Sequence, residues 1–279
     1  MEMNKNAVVK GQVLMVATSC GSFPNTDIPT GLWLSELAEP YWVLKDAGYD
    51  VTLASPNGGA VPVDPVSLAG DAKTREAERM LHDDEAKLVL EHTVKLSDVS
   101  DPTFYDAVFV PGGHGPMFDL AESELLGDIL TKAAAAGKII AAVCHGPAGL
   151  VKAKGSDGLP LVSSRQVTGF TNSEEEAVGK TKMVTFLLED KLKELGGQLV
   201  RKPDWQPHVV TDGNLVTGQN PASAQGVGEA MLQQLKEKRA ALGGVASGGV
   251  TFSAGEAGLV GGKKAAAEAD ISPAGKPAS

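Results

Sequence analysis

The sequence predicts an α/β fold built on a mostly parallel sheet with helices on both faces, and three observations point there. Short apolar runs of strand length, QVLMVAT (12–18), DAVFVPGG (106–113) and KIIAAVC (138–144), lack the alternation of a half-exposed strand. Segments between them place apolar residues three and four apart, which is helical spacing. The chain has 279 residues, 42% of them hydrophobic, enough to bury a sizeable core in one large domain.

Taken in order, QVLMVAT is the first strand. TGLWLSELAEPYWVLKDAGY (30–49) follows, with Leu34, Leu37, Tyr41 and Leu44 on one helical face. Gly48 closes that helix and DVTLASP (50–56) is the second strand, a βαβ unit whose crossover is expected to be right-handed. Residues 56–93 are Pro/Gly-rich and then strongly charged, which predicts a surface insertion with a helix over 71–92 that covers part of the fold. The strand at 106–113, a helix over 122–136 and the strand at 138–144 resume the pattern. Beyond them come a short strand at 166–169, a helix over 184–195, a hairpin HVVTDGNLVTG (208–218) turning at Asp-Gly, and a helix over 222–240. Residues 1–240 therefore read as one domain. Residues 241–279 are mostly Gly, Ala, Ser, Lys and Glu, too poor in large apolar side chains to offset ordering entropy, and read as a disordered tail.

The formal charge of −10, with no block rich in Lys and Arg, argues against a nucleic-acid partner and against an anionic membrane surface. The N-terminal stretch MEMNKNAVVKGQVLMVAT contains only VLMVA as an apolar run, so no signal peptide is expected. Two cysteines, Cys20 and Cys144, make neither a disulfide framework nor a CxxC metal site, and a reduced, cytoplasmic protein is expected. His82, His92, His114 and His208 show no HExxH or other paired spacing, so no metal site is expected either.

One stretch carries chemistry. KIIAAVCHGPAGL runs a buried strand into Cys144 and His145 and then into Gly-Pro, so the thiol sits at the carboxyl edge of the sheet, where parallel α/β proteins bind ligands. Gly146-Pro147 permits a sharp strand-to-helix turn, comparable to a nucleophile elbow with Cys in place of Ser. A helix starting there would aim free N–H groups at the sulfur and lower the thiol pKa. His145 is placed to carry a proton. The plain alternative is a buried packing thiol beside a helix-start histidine. At the same edge PGGHG (111–115) leaves closely spaced backbone N–H groups, and Gly113 with the His145 amide suits an oxyanion hole. The spacing is not that of a dinucleotide-binding loop.

AAVCHGPAGL, VPGGHGPMFDL, TGLWLSELAEPYWVLKDAGYDV, VTGFTNSEEEAVG and TDGNLVTGQNPASA together resemble the ThiJ/PfpI superfamily of class I glutamine amidotransferase-like proteins. Within it they are most similar to the stress-related branch that includes glutathione-independent glyoxalase III, over about residues 10–238. The resemblance implies a flavodoxin-like sheet, Cys144 as nucleophile with His145 beside it, and two acidic positions, Glu36 in the first helix and Glu175 in the GFTNSEEE stretch. Glu36 would be at least partly protonated and hydrogen-bonded to the sulfur, since an ionised carboxylate there raises a thiol pKa. Glu175 would orient His145, although Glu174 and Glu176 flank it and a register slip of one would select a different carboxylate.

The function so implied is conversion of methylglyoxal or a similar 2-oxoaldehyde to a 2-hydroxy acid such as D-lactate, without glutathione or any other cofactor. The partner would be a small aldehyde, and a homodimer is left open. A deglycase, an amidase or a stress-related holdase chaperone on the same fold are the other implied readings, and the fold alone does not choose among them.

Overall fold

A computed structural model describes residues 9–246. In chain order the regular elements are β1 (Gln12–Val16), α1 (Leu34–Asp46), β2 (Asp50–Ser55), α2 (Arg75–His82), α3 (Asp84–Glu91), β3 (Val94–Lys95), β4 (Ala107–Val110), α4 (Glu124–Ala135), β5 (Ile139–Val143), β6 (Gln166–Val167), α5 (Asn172–Ala177), α6 (Leu188–Glu194), β7 (Gln198–Leu199), β8 (Val209–Asp212), β9 (Leu215–Gly218) and α7 (Ala224–Ala246). Seven strands form one sheet in the order β3-β2-β1-β4-β5-β9-β8, parallel throughout except for the antiparallel β8/β9 hairpin at one edge. Flavodoxin-like α/β architecture is thus what the chain adopts.

The central strands are apolar along their whole length because helices cover both faces. All residues of β4 and β5 are buried, as are Val13–Val16 of β1. The predicted face of α1 is buried at Leu34, Leu37, Tyr41 and Leu44. The burial goes further than one face, however, for Glu36, Ala38, Glu39 and Trp42 are buried as well. α1 is enclosed because α7 packs on one side of it and α2 on another. A helix so enclosed can hold a carboxyl away from water.

Three expectations need correcting. The insertion carries two short helices where one was expected over 71–92, because Asp83 ends α2 and its side chain accepts the Ala86 N–H to start α3. The short strand expected near 166 forms as β6 and pairs with β7 in a separate two-stranded ribbon. The residues after Cys144 form a short 3-10 segment, Gly146–Leu150, rather than an α-helix. The chain passes close to β4 at this turn, where a Cβ on Gly146 would lie 2.1 Å from the Val110 carbonyl oxygen. Finally, α7 runs on to Ala246, so residues 241–246 are helical; the rest of the expected tail lies outside the described residues. No helix among the described residues is long and apolar enough to cross a membrane.

Candidate active site

β1, β4, β5 and β9 all end at the same edge of the sheet. The strand order reverses direction of growth between β1 and β4, the position where α/β sheets open a crevice. A cavity of about 840 Å3 lies there, lined in part by Trp33 and Glu39 from the α1 region, Gly113 and His114 after β4, and Cys144 and His145 after β5. Asp71, Ala72 and Thr74 bring the charged insertion onto its wall, the covering role the sequence suggested.

Cys144 is the first residue after β5 and has φ 59°, a left-handed conformation that a side-chain-bearing residue rarely adopts. A residue held this way turns the chain sharply at the end of the strand, the backbone geometry that a nucleophile elbow uses. The elbow is fixed from both sides: the Cys144 N–H donates to Gly218 O at 2.9 Å and the Phe170 N–H donates to Cys144 O at 2.9 Å. Cys20, the other cysteine, is half-buried, gives its S–H to Ser22 O and does not line the cavity.

Glu36 is completely buried. Its Oε2 accepts the Gly112 N–H at 2.8 Å, and Oε1 has no hydrogen-bond partner of ordinary geometry. Two side chains act on this carboxyl, the Cys144 thiol as a hydrogen-bonding group and Glu39 as a like charge. Burial without a cation pushes the Glu36 carboxyl up to about 8, so it holds its proton at neutral pH. Gly112 is what allows the approach: a Cβ there would come within 2.6 Å of Glu36 Oε2 and 2.8 Å of the His145 amide nitrogen.

Burial, and then any ionisation of Glu36, push the Cys144 thiol up. This overturns the sequence argument for a lowered thiol pKa, which needed an α-helix that the chain does not form. What favours the thiolate is the N–H pair of Gly113 and His145, which acts on the sulfur. Gly113, at φ +86°, turns that amide inward, so both groups expected of the oxyanion hole meet at Cys144. With Glu36 protonated its charge no longer opposes thiolate formation.

Glu175 is the carboxylate that faces the imidazole. Its Oε2 lies 2.7 Å from His145 Nε2, and Oε1 lies 2.8 Å from Nε2 of His114. Those two contacts hold the Glu175 carboxyl down at about 2, against a burial that would raise it. An ionised carboxylate only accepts, so both Nε2 atoms carry hydrogen, and in a neutral ring so held Nδ1 is the lone-pair acceptor. Nδ1 of His145 is 3.4 Å from Cys144 Sγ and therefore accepts the thiol proton. Burial holds the His145 imidazole down at about 4, so the ring is neutral and its Nδ1 lone pair faces the sulfur.

The register among the three glutamates is settled by burial and bonding. Glu174 is fully buried and faces away from the histidines, accepting from Trp205 N, Gln219 Nε2 and Asn220 Nδ2 on one oxygen and from Thr171 on the other. Glu176 is exposed. Sequence reasoning missed His114 as a member of this set, because it weighed that residue only for metal spacing along the chain. Its signal was the position one residue after Gly113, at the sheet edge that carries Cys144. His114, His145 and Glu175 are also the described residues that could hold a metal ion, their ligand atoms lying within 4.8 Å of one another, but here those atoms are engaged with each other. His82, His92 and His208 take no part in the cluster.

The chain also has known relatives. The chain is 32% identical to Glyoxalase 3 of Candida albicans over 222 residues, covering 76% of this chain and 93% of that protein. It is 32% identical to a glutathione-independent glyoxalase of Saccharomyces cerevisiae, covering 81% of this chain and 98% of that protein. The crystal structure of glyoxalase III from Candida albicans superposes with a TM-score of 0.75 at 30% identity, covering 81% of this chain and 97% of that one. The profile of the DJ-1/PfpI family matches residues 28–234, the span that carries Glu36, Cys144, His145 and Glu175, and the chain belongs to that family.

Proposed function

We propose that this protein is a glutathione-independent glyoxalase that converts a 2-oxoaldehyde to the 2-hydroxy acid through Cys144. The observation that carries the reading is a single one: a cysteine on a strained elbow whose sulfur meets a protonated, fully buried glutamate on one side and a neutral, carboxylate-anchored histidine on the other. The names of the fungal relatives support the same reading.

In this mechanism Cys144 gives its proton to His145 Nδ1 as the sulfur attacks the aldehyde carbon. The oxygen that becomes negative is met by the Gly113 and His145 amides and takes the proton from His145, leaving a hemithioacetal. Movement of hydrogen from C1 to C2 through an enediolate then gives a 2-hydroxy thioester, and water releases the acid and restores the thiol. The pair of electrons that reduces C2 comes from C1, so the balance needs only water. Glu36 serves the sulfur throughout, as a neutral hydrogen-bond donor whose proton keeps a second negative charge out of the site.

The test is direct. Purified protein in glutathione-free buffer, given methylglyoxal, should convert it to lactate followed by proton NMR, and Cys144→Ser should make none. Lactate formation by Cys144→Ser, or inertness of the native protein, would overturn the reading. Charge sets a second expectation. The cavity wall includes Glu39 and Asp71 and no Lys or Arg, so neutral 2-oxoaldehydes should be turned over with higher kcat/KM than aldehydes bearing a carboxylate or phosphate.

A further inference from the structure

The proposed reaction has a hydrogen atom to move between two carbons, and most of the acid–base groups around the sulfur are already committed. His145 gives its Nε2–H to Glu175 and turns Nδ1 to the Cys144 sulfur. Glu36 lies wholly buried, with one oxygen on Gly112 N, and holds its proton as a neutral carboxyl. Glu175 spends both oxygens on imidazoles. His114 remains. Its Nε2–H is donated to Glu175, while its Nδ1 has no hydrogen-bond partner among the described residues and is not sealed in the interior. The ring lines the cavity beside Cys144 and Gly113, with a side-chain exposure of 12%.

We propose that His114 is the catalytic base that carries hydrogen from C1 to C2 of the bound substrate, so that one carboxylate serves two imidazoles with separate roles. His145 addresses the sulfur and His114 addresses the carbon. Its neighbours hold the His114 ring in place, with its centroid 4.1 Å from that of His145, 5.3 Å from Phe23 and 6.3 Å from Phe170. Because Glu175 fixes the hydrogen on Nε2, the lone pair on Nδ1 is the free one, and an imidazolium formed there stays bonded to a carboxylate.

The step balances. The C1–H proton passes to His114 Nδ1, its electron pair becomes the C1–C2 double bond, and the carbonyl pair moves onto the C2 oxygen. Return of the proton to C2, with the C1 hydroxyl proton passing to the C2 oxygen, gives the 2-hydroxy thioester on Cys144. No oxidant or reductant enters.

This inference rests on the glyoxalase reading, and the experiment separates the two. Methylglyoxal turnover and the rate of Cys144 alkylation by iodoacetamide are measured for the native protein, His114→Gln and His114→Ala, with folding checked by near-ultraviolet circular dichroism. Native turnover with a loss of about a hundredfold in kcat for His114→Gln, at an unchanged alkylation rate, is the expected result. Added imidazole should restore part of the turnover of His114→Ala, a rescue that a purely structural role would not show. The proposal is overturned if His114→Gln keeps native kcat, if alkylation falls in parallel with turnover, or if imidazole rescues nothing. A native protein that alkylates normally but consumes no 2-oxoaldehyde would instead overturn the glyoxalase reading, and this role with it.

Discussion

Side chain by side chain, the site is an arrangement of protons around one sulfur. Glu175 is the fixed negative charge, and each imidazole takes its tautomer from it. Glu175→Gln would set an amide N–H against one of the two Nε2–H groups, so one ring must turn or change tautomer; kcat should fall by about a hundredfold or more while the fold is retained, as measured by turnover alongside circular dichroism. Unchanged kcat would remove Glu175 from the account. Cys144 and His145 were legible in the sequence because a strand ending in Cys-His-Gly-Pro has few structural uses. Glu36 and Glu175 came from resemblance, and Glu175 could be separated from its neighbours only by seeing that Glu174 is satisfied by five donors of its own. His114 was not legible as a partner of Glu175, since 61 residues separate them and only the fold closes that distance.

Elements position these groups by capping and close approach. α5 is six residues long and would be marginal alone, but Thr171 caps it, accepting the Glu174 N–H at 3.1 Å while Glu174 reaches back to the Thr171 N–H. Thr171→Ala should cost about 1 kcal/mol, read as a lower Tm, and should reduce kcat as well because α5 carries Glu175. A variant with lowered Tm and native kcat would show that α5 need not be held so firmly. Gly112→Ala should be worse, since its Cβ would meet Glu36, Val143 O and the His145 amide within 2.8 Å and the neighbours are backbone or buried. The long apolar strands and α1 were readable from periodicity. What periodicity could not reach were the two-residue strands β3 and β7, the six-residue α5 and the break at Asp83, all set by single caps or by a few ladder bonds.

For the whole molecule, the buried acid has a consequence for stability. Glu36 titrates near about 8 when folded and near 4.5 in its ordinary state, so between those values the folded chain holds a proton that the unfolded chain has released. Stability is therefore lost as pH rises from about 4.5 to about 8. His145 has the opposite sign, being near about 4 when folded against an ordinary 6.5, and its contribution is lost as pH falls through that window. Glu36→Gln keeps the shape and a hydrogen on the side chain but removes the proton equilibrium. Its Tm should match the native protein near pH 4.5 and exceed it by several degrees at pH 8, while turnover at pH 7 stays within about tenfold of native, since Glu36 transfers no proton in this mechanism. Equal Tm values across that range would deny the raised pKa. The central claim, a neutral Glu36 beside the Cys144 sulfur, is most directly tested by infrared difference spectroscopy of the native protein against Glu36→Gln. The account predicts the carbonyl stretch of a protonated carboxyl in the native protein at pH 7, disappearing as pH passes about 8 and absent from the variant; a carboxylate signal alone at pH 7 would contradict it.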